Sequence, residues 1–147
     1  ETMDDQAFLH YLGRPDAIGI DINPMEGRYE FHQMSVSKLS FADNTFENVV
    51  AMEVLEHIEQ VPAALKEIKR VLKPGGIFVM STPDGNWFWE CLWTLWTHFI
   101  GKMWQHTHLT SYTCSDWLRL LGTEFKVIEC RRHWFFDIVV CCVNSKK

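Results

Sequence analysis

Short apolar runs that alternate with a helical stripe constrain this chain more than any other feature. Ala17 to Ile22, Asn48 to Met52 and Ile77 to Ser81 are each compact and continuous, the pattern of buried parallel strands. Tyr29 to Met34 reads as a further strand with weaker alternation. Between the runs at 48–52 and 77–81, Leu65, Ile68 and Leu72 recur at helical spacing behind Pro62. Proline is tolerated there because the first helical turn does not use its amide hydrogens. Pro74-Gly75-Gly76 then breaks the helix. Strands alternating with helices predict a parallel sheet with helices packed on its faces.

The two ends depart from that rhythm. Asp4 to Leu12 reads as a short helix with acids in its first turn, stopped by Gly13 and Pro15. Thr113-x-x-Asp116, ahead of Trp117, Leu118 and Leu121, is a capping-box-like helix start. Phe125 to Cys130 and Phe136 to Val143 read as two strands joined by residues 131–135. A parallel crossover needs roughly a dozen residues or more, so this pair is expected to be antiparallel.

Size and composition set the outer bounds. A chain of 147 residues without an internal repeat or linker is expected to form one domain, 1–147. Its 47% hydrophobic and 22% charged residues fit a globular protein rather than a disordered one. A net charge of −5 argues against a general nucleic-acid binder, which needs a basic face for phosphates. Five cysteines, odd in number and without C-x-x-C spacing, suggest reduced thiols. With no charged-then-apolar leader, a cytoplasmic location is expected.

Residues 39–83 carry a more specific signal. Leu39-Ser40-Phe41-x-Asp43-x-x-Phe46-Glu47 leads into a strand, and Glu53-Val54-Leu55-Glu56-His57 follows it. A helix then ends in Leu72-Lys73-Pro74-Gly75-Gly76 before the next strand. In order and spacing this resembles the second half of the cofactor domain of class I S-adenosylmethionine-dependent methyltransferases, with Ser40 for the family's usual proline and Glu47 for its usual aspartate. The resemblance implies an α/β, Rossmann-like fold: a mostly parallel sheet, flanking helices and a C-terminal antiparallel strand pair. It implies S-adenosylmethionine as cofactor and a small molecule as methyl acceptor.

The same resemblance implies a Gly-x-Gly-x-Gly turn after a first, central strand, where backbone amides approach the cofactor. The residues before Phe8 contain no glycine, and none upstream of Glu1 supply that strand. The first central strand is therefore expected to be missing from this sequence. Segments outside the sequence, a shortened relative or a strand from a partner would each account for it. The first is favoured, because deleting a central strand while keeping its neighbours is costly to a fold.

Ligands of open parallel sheets bind beyond the carboxyl ends of the strands. Asp21 and Ile22 end one strand, and the resemblance implies that an acid there accepts hydrogen bonds from both ribose hydroxyls. A carboxylate suits a vicinal diol because it offers two oxygens; a solvated acid or helix cap is the alternative. Ser35 and Val36 fall where the family has an acid-plus-small pair near the adenine. Met52 and Glu53 end the next strand, where the family's cofactor places its methionine part. Glu53 is a candidate for the ammonium group, or simply a cap for the following turn.

Asn86 to Gln105 is rich in tryptophan, and Trp89, Leu92, Trp93, Trp96, Ile100 and Met103 recur at helical steps. This amphipathic helix is too short and interrupted to span a membrane, which takes about 20 apolar residues. In the resembling family the position, 86–112 here, forms a cap over the substrate, which implies a partly apolar or aromatic acceptor. A core helix, a homodimer contact or shallow membrane contact are the alternatives. His106-Thr107-His108 follows, and His108 is the candidate base for an attacking hydroxyl or amine. His57 is a second candidate base. A loop hydrogen bond competes with both roles, and no third ligand at set spacing argues for a metal.

Two functions fit these residues. One is methyl transfer from S-adenosylmethionine to a small molecule. The other is a methyltransferase-like scaffold or partner subunit that has lost cofactor binding. The missing glycine turn favours the second; Asp21 and the aromatic cap favour the first.

Overall fold

The computed structural model describes residues 16–24, 30–85, 91, 94, 95, 98, 112–133 and 137–145. The helix expected at Asp4–Leu12, most of the tryptophan-rich insert, and both His106 and His108 lie outside them.

Two parallel strands open the described chain: β1 (Ile18–Asp21) and β2 (Glu30–Gln33). β3 (Phe46–Met52) leads through a 3₁₀ turn (Leu55–His57) into helix α1 (Val61–Val71) and strand β4 (Leu72–Pro83). Helix α2 (Cys114–Glu124), β5 (Lys126–His133) and β6 (Asp137–Val143) complete it. The second sheet runs β3-β4-β6-β5, with β3 parallel to β4 and both β4–β6 and β6–β5 antiparallel. The antiparallel ending expected from the short 131–135 connection is present. Among the described strands, pairings divide evenly between parallel and antiparallel.

One face of this sheet carries the core. The register sets Phe78 opposite Cys142, Met80 opposite Val140 and Thr82 opposite Ile138, so these side chains share a face. All six are fully buried. Against them pack Val61, Ala64, Leu65 and Ile68 of α1, with Trp117 and Leu121 of α2. The apolar residues of α1 recur at three- and four-residue steps, which is why this helix has one buried stripe. Pro62 lies in its first turn. Thr113 caps α2 through a complete capping box with Asp116, as its sequence implies.

The burial expected of the apolar run at 48–52 is only partly met. Val50 is 45% exposed and Met52 39%, because β3 is hydrogen-bonded only to β4 among the described residues. No described strand joins β1 to β3, so the sheet is divided where the first central strand is expected. Side chains bridge the division: His32 and Phe46 each make an edge contact with the Phe41 ring, at 5.5 and 4.9 Å between centroids.

The Leu39–Phe46 turn owes its shape to one guanidinium. Arg70 on α1 donates to the Leu39 and Phe41 carbonyls, the Asp43 carboxylate and both oxygens of Glu67. The amide of Leu39 closes the loop by donating to Glu67 at 2.9 Å. Five donors in a rigid fork suit such a junction, and a lysine would satisfy fewer partners. The Asp43 side chain, part of the motif read above, therefore holds the turn rather than a ligand.

The Pro-Gly-Gly break is equally specific. Gly75 adopts φ +76°, and a methyl on Gly76 would lie 2.9 Å from the carbonyls of Glu47 and Lys73. Nearby, Asn144 is 1% exposed and its amide donates to the carbonyls of Lys69, Leu72 and Lys73. These are orphan acceptors at and just beyond the end of α1, which a side chain must satisfy once water is excluded. Asn144→Ala is expected to lower stability by about 1–3 kcal/mol, the cost of stranding a buried acceptor. Urea unfolding checks this as a lower midpoint at unchanged slope.

Cys91, Thr94, Leu95 and His98 are helical and exposed, at steps of three and four residues within the tryptophan-rich segment. No helix among the described residues is long and apolar enough to cross a membrane.

Candidate functional site

The loops after β2 and β3 meet at one rim. Ser35 and Ser37, following β2, line a cleft of about 340 Å³ together with His57, Ile58, Glu59 and Gln60. The remaining candidates sit at the ends of β1, β3 and β4.

Asp21 closes β1, and its backbone carbonyl accepts the Met34 amide at 2.8 Å, tying β1 to the exit of β2. Its Oδ1 accepts the amide of Asn23 at 2.7 Å, whereas Oδ2 takes no hydrogen bond among the described residues. Ile22 beside it is 66% exposed, a large apolar side chain presented to solvent. The Ser35 hydroxyl accepts the Ser37 amide at 3.2 Å, so its local role is to shape the turn. Val36 packs on the core and offers its backbone rather than its side chain.

Glu53 does not cap the turn that follows it. The N-cap of that turn is Val54, which makes no side-chain capping bond. Instead, Glu53 has φ 53°, a left-handed backbone that costs a non-glycine residue about 1–2 kcal/mol. Two contacts to β4 hold it there. Its amide donates to the Ser81 carbonyl at 3.1 Å, and its carboxylate accepts the Ser81 hydroxyl at 2.5 Å. Strain of this kind persists only where surrounding contacts over-determine it, and it concentrates at functional sites.

Beneath Glu53 lies a buried polar layer that sequence reasoning missed. Glu56 is 3% exposed, Ser81 5%, Thr82 0% and Asp84 3%. Burial pushes the Glu56 carboxyl up to about 8, and the neighbouring Glu53 charge and hydrogen bond push in the same direction. Thr82 Oγ1 donates to Glu56 Oε2 at 3.4 Å. Asp84 accepts the Cys114 amide at 2.9 Å and pairs with Arg132 at 3.4 Å, fixing the start of α2 to the end of β4. Glu56 was visible as a letter of the Glu-Val-Leu-Glu-His motif, but nothing local tells which of its two acids is buried.

His57 is exposed on the cleft wall, beside the Ser35 loop. The structure therefore brings Ser35 and His57 together and sets Glu53 over Glu56, Ser81 and Thr82. His108 lies outside the described residues. Among those residues no cluster of histidine, cysteine or acids is placed to hold a metal ion. All five cysteines are free thiols, and Cys114 lies 3.7 Å from Cys130 between sulfurs.

Comparison with known proteins agrees with this architecture. A family model described as a methyltransferase domain matches residues 5–129. The YafE protein of Escherichia coli (strain K12) is 29% identical over 92 residues, covering 62% of this chain and 43% of that protein. A ubiquinone biosynthesis O-methyltransferase of Bradyrhizobium sp. (strain ORS 278) is 52% identical over 42 residues, covering 29% and 17%. The chain thus spans less than half the length of these relatives. Among solved structures, the Burkholderia thailandensis 1,6-didemethyltoxoflavin-N1-methyltransferase, with bound 1,6-didemethyltoxoflavin and S-adenosylhomocysteine, aligns with a TM-score of 0.71 at 15% identity. That alignment covers 98% of this chain and 67% of the other. With its fold shared by solved methyltransferases and the family model covering most of its length, the chain belongs to the class I S-adenosylmethionine-dependent methyltransferases.

Proposed function

We propose that this domain binds S-adenosylmethionine along the strand-end rim and directs its methyl group to a small-molecule acceptor. The observation that carries the reading is the placement of acids and hydroxyls at successive strand ends: Asp21, Ser35 and Glu53. Their chemistry fits three parts of that cofactor. Asp21 retains an oxygen for the ribose diol, and Glu53 presents negative charge toward an ammonium group. Ser35 and the backbone at Val36 suit the adenine, and Ile22 and Met52 offer exposed apolar walls. Residues to cradle the cofactor's carboxylate are not among those described.

Bound S-adenosylmethionine supplies a methyl group made reactive by its sulfonium, so the protein's share is alignment and exclusion of water. The tryptophan-rich segment 86–112 is the proposed cap, suited to a partly apolar or planar acceptor. In the Burkholderia neighbour the bound partner is a toxoflavin derivative. His108, near the end of that segment and ahead of α2 in sequence, is the proposed base; His57 lies on the cleft wall instead. The acceptor atom stays open among oxygen, nitrogen and carbon.

Asp21→Ala is expected to weaken S-adenosylmethionine binding about ten- to a hundredfold, for the loss of hydrogen bonds to a charged acceptor. Isothermal calorimetry reads this directly, and an unchanged dissociation constant would remove Asp21 from the site. The second reading is a scaffold that does not bind cofactor. No heat of binding from the unaltered protein would decide for it.

A further inference from the structure

Buried at the rim is a carboxyl that cofactor binding, as described, does not use. Glu56 is buried in the 3₁₀ turn and hydrogen-bonds through its side chain to Glu53. Two carboxyl groups in hydrogen-bond contact need a proton between them, since both are acceptors when ionised. Burial decides where it resides, because desolvation penalises charge on the enclosed partner more than on the exposed one. Glu56 is 3% exposed, whereas Glu53 is exposed at the rim. Among the described residues, Glu53 from the end of β3 and Thr82 from β4 act on the Glu56 carboxyl, and His57 follows it in the same turn. Ser81 completes the arrangement by donating its hydroxyl to Glu53 Oε1.

We infer that Glu56 is a positioning residue: as a neutral acid it donates its proton to Glu53 and aims that carboxylate at a cationic ligand group. Glu53 then receives two hydroxyl-type donors, from Ser81 at 2.5 Å and from Glu56, which fix its orientation without neutralising it. The pair carries one negative charge rather than two, which matches a single ammonium. The strained backbone of Glu53 belongs to the same device, because it turns the side chain back over Ser81 and Glu56. The identity of the ligand group rests on the cofactor reading above; the place of the proton does not.

Infrared spectroscopy of the ligand-free protein tests the proton. A carboxylic-acid carbonyl band is expected at pH 7, lost on raising the pH with a midpoint of about 8, and absent from Glu56→Gln. No such band, or one that survives in Glu56→Gln, would overturn the inference. Calorimetry with S-adenosylhomocysteine tests the positioning, comparing variants at each pH so that the ligand's own titration cancels. Glu56→Gln keeps a neutral donor, so its affinity at pH 7 is expected to stay within about threefold of the unaltered protein. At pH 9 the unaltered protein is expected to bind about tenfold more weakly than Glu56→Gln, the loss of one hydrogen bond to a charged group. Equal affinities at pH 9, or a Glu56→Gln protein already weakened tenfold at pH 7, would refute the positioning role. An unaltered protein that shows the band but binds nothing would sink the cofactor reading and the ligand half of this inference, while upholding the proton on Glu56.

Discussion

Trp117→Ala is expected to lower the stability of the domain by about 3–5 kcal/mol. Trp117 is 1% exposed and sits where α2 meets the buried face of the sheet. Its ring makes an edge contact with Tyr112, 5.2 Å between centroids, which adds to the apolar area lost. The cavity would open in the core cluster that also holds Leu121, Met80 and the buried stripe of α1, rigid elements that resist collapse. For a chain of this size each kcal/mol is worth roughly 2–4 °C, so the melting temperature should fall by about 10 °C or more. Calorimetry would measure it, and a shift of a degree or two would mean that α2 is not part of the cooperative core. Trp117→Phe, which keeps most of the volume, should recover much of the loss.

The second large effect is a dependence of stability on pH. The Glu56 carboxyl is raised from an ordinary value of 4.5 to about 8 by burial and by Glu53. The folded state therefore holds this proton more tightly than the unfolded chain. Below about 4.5 both states are protonated and the native state pays nothing. As the pH rises through the window, the unfolded chain releases the proton while the folded one keeps it, so stability falls. Above about 8 the loss is complete. One unit is worth roughly 1.4 kcal/mol, so a shift of this size amounts to a few kcal/mol, shared across the coupled pair. Glu67 and Asp116 are shifted the other way, the first by hydrogen bonds from Arg70 and the second by those from Thr113. Their contribution is lost only at acid pH, below the window. Urea midpoints taken between pH 5 and pH 8 should decline for the unaltered protein and stay level for Glu56→Gln. Parallel curves for the two would show that Glu56 is ionised in the fold.

Much of the architecture was legible because its signals are local. Alternation of period marked β3, α1 and β4, and the two glycines at 75 and 76 marked a break whose geometry admits little else. Thr113 and Asp116 are three residues apart, so a capping box could be read from spacing alone. The antiparallel β5–β6 pair followed from chain length, since the residues between them cannot make a crossover. The strand ends carrying Asp21 and Glu53 were located for the same reason, and with them the rim.

What escaped the sequence depends on contacts between distant residues. The motif contains two glutamates, Glu53 and Glu56, of identical chemistry. One is exposed and hydrogen-bonded to Ser81, 28 positions away, and the other is buried against Thr82, 26 positions away. Only the parallel pairing of β3 with β4 sets these partners in place. Asn144 looked like a residue near the end of the chain, yet it satisfies carbonyls more than 70 positions earlier. Apolar runs at β1 and β3 implied burial on both sides, but burial is a property of neighbours, and each strand has a described neighbour on one side alone. The sequence by itself determined the order of strands and helices, the caps and breaks, and the family. Tertiary packing decided which acid is buried and which faces solvent, because desolvation and hydrogen-bond partners exist only once strands distant in sequence lie side by side.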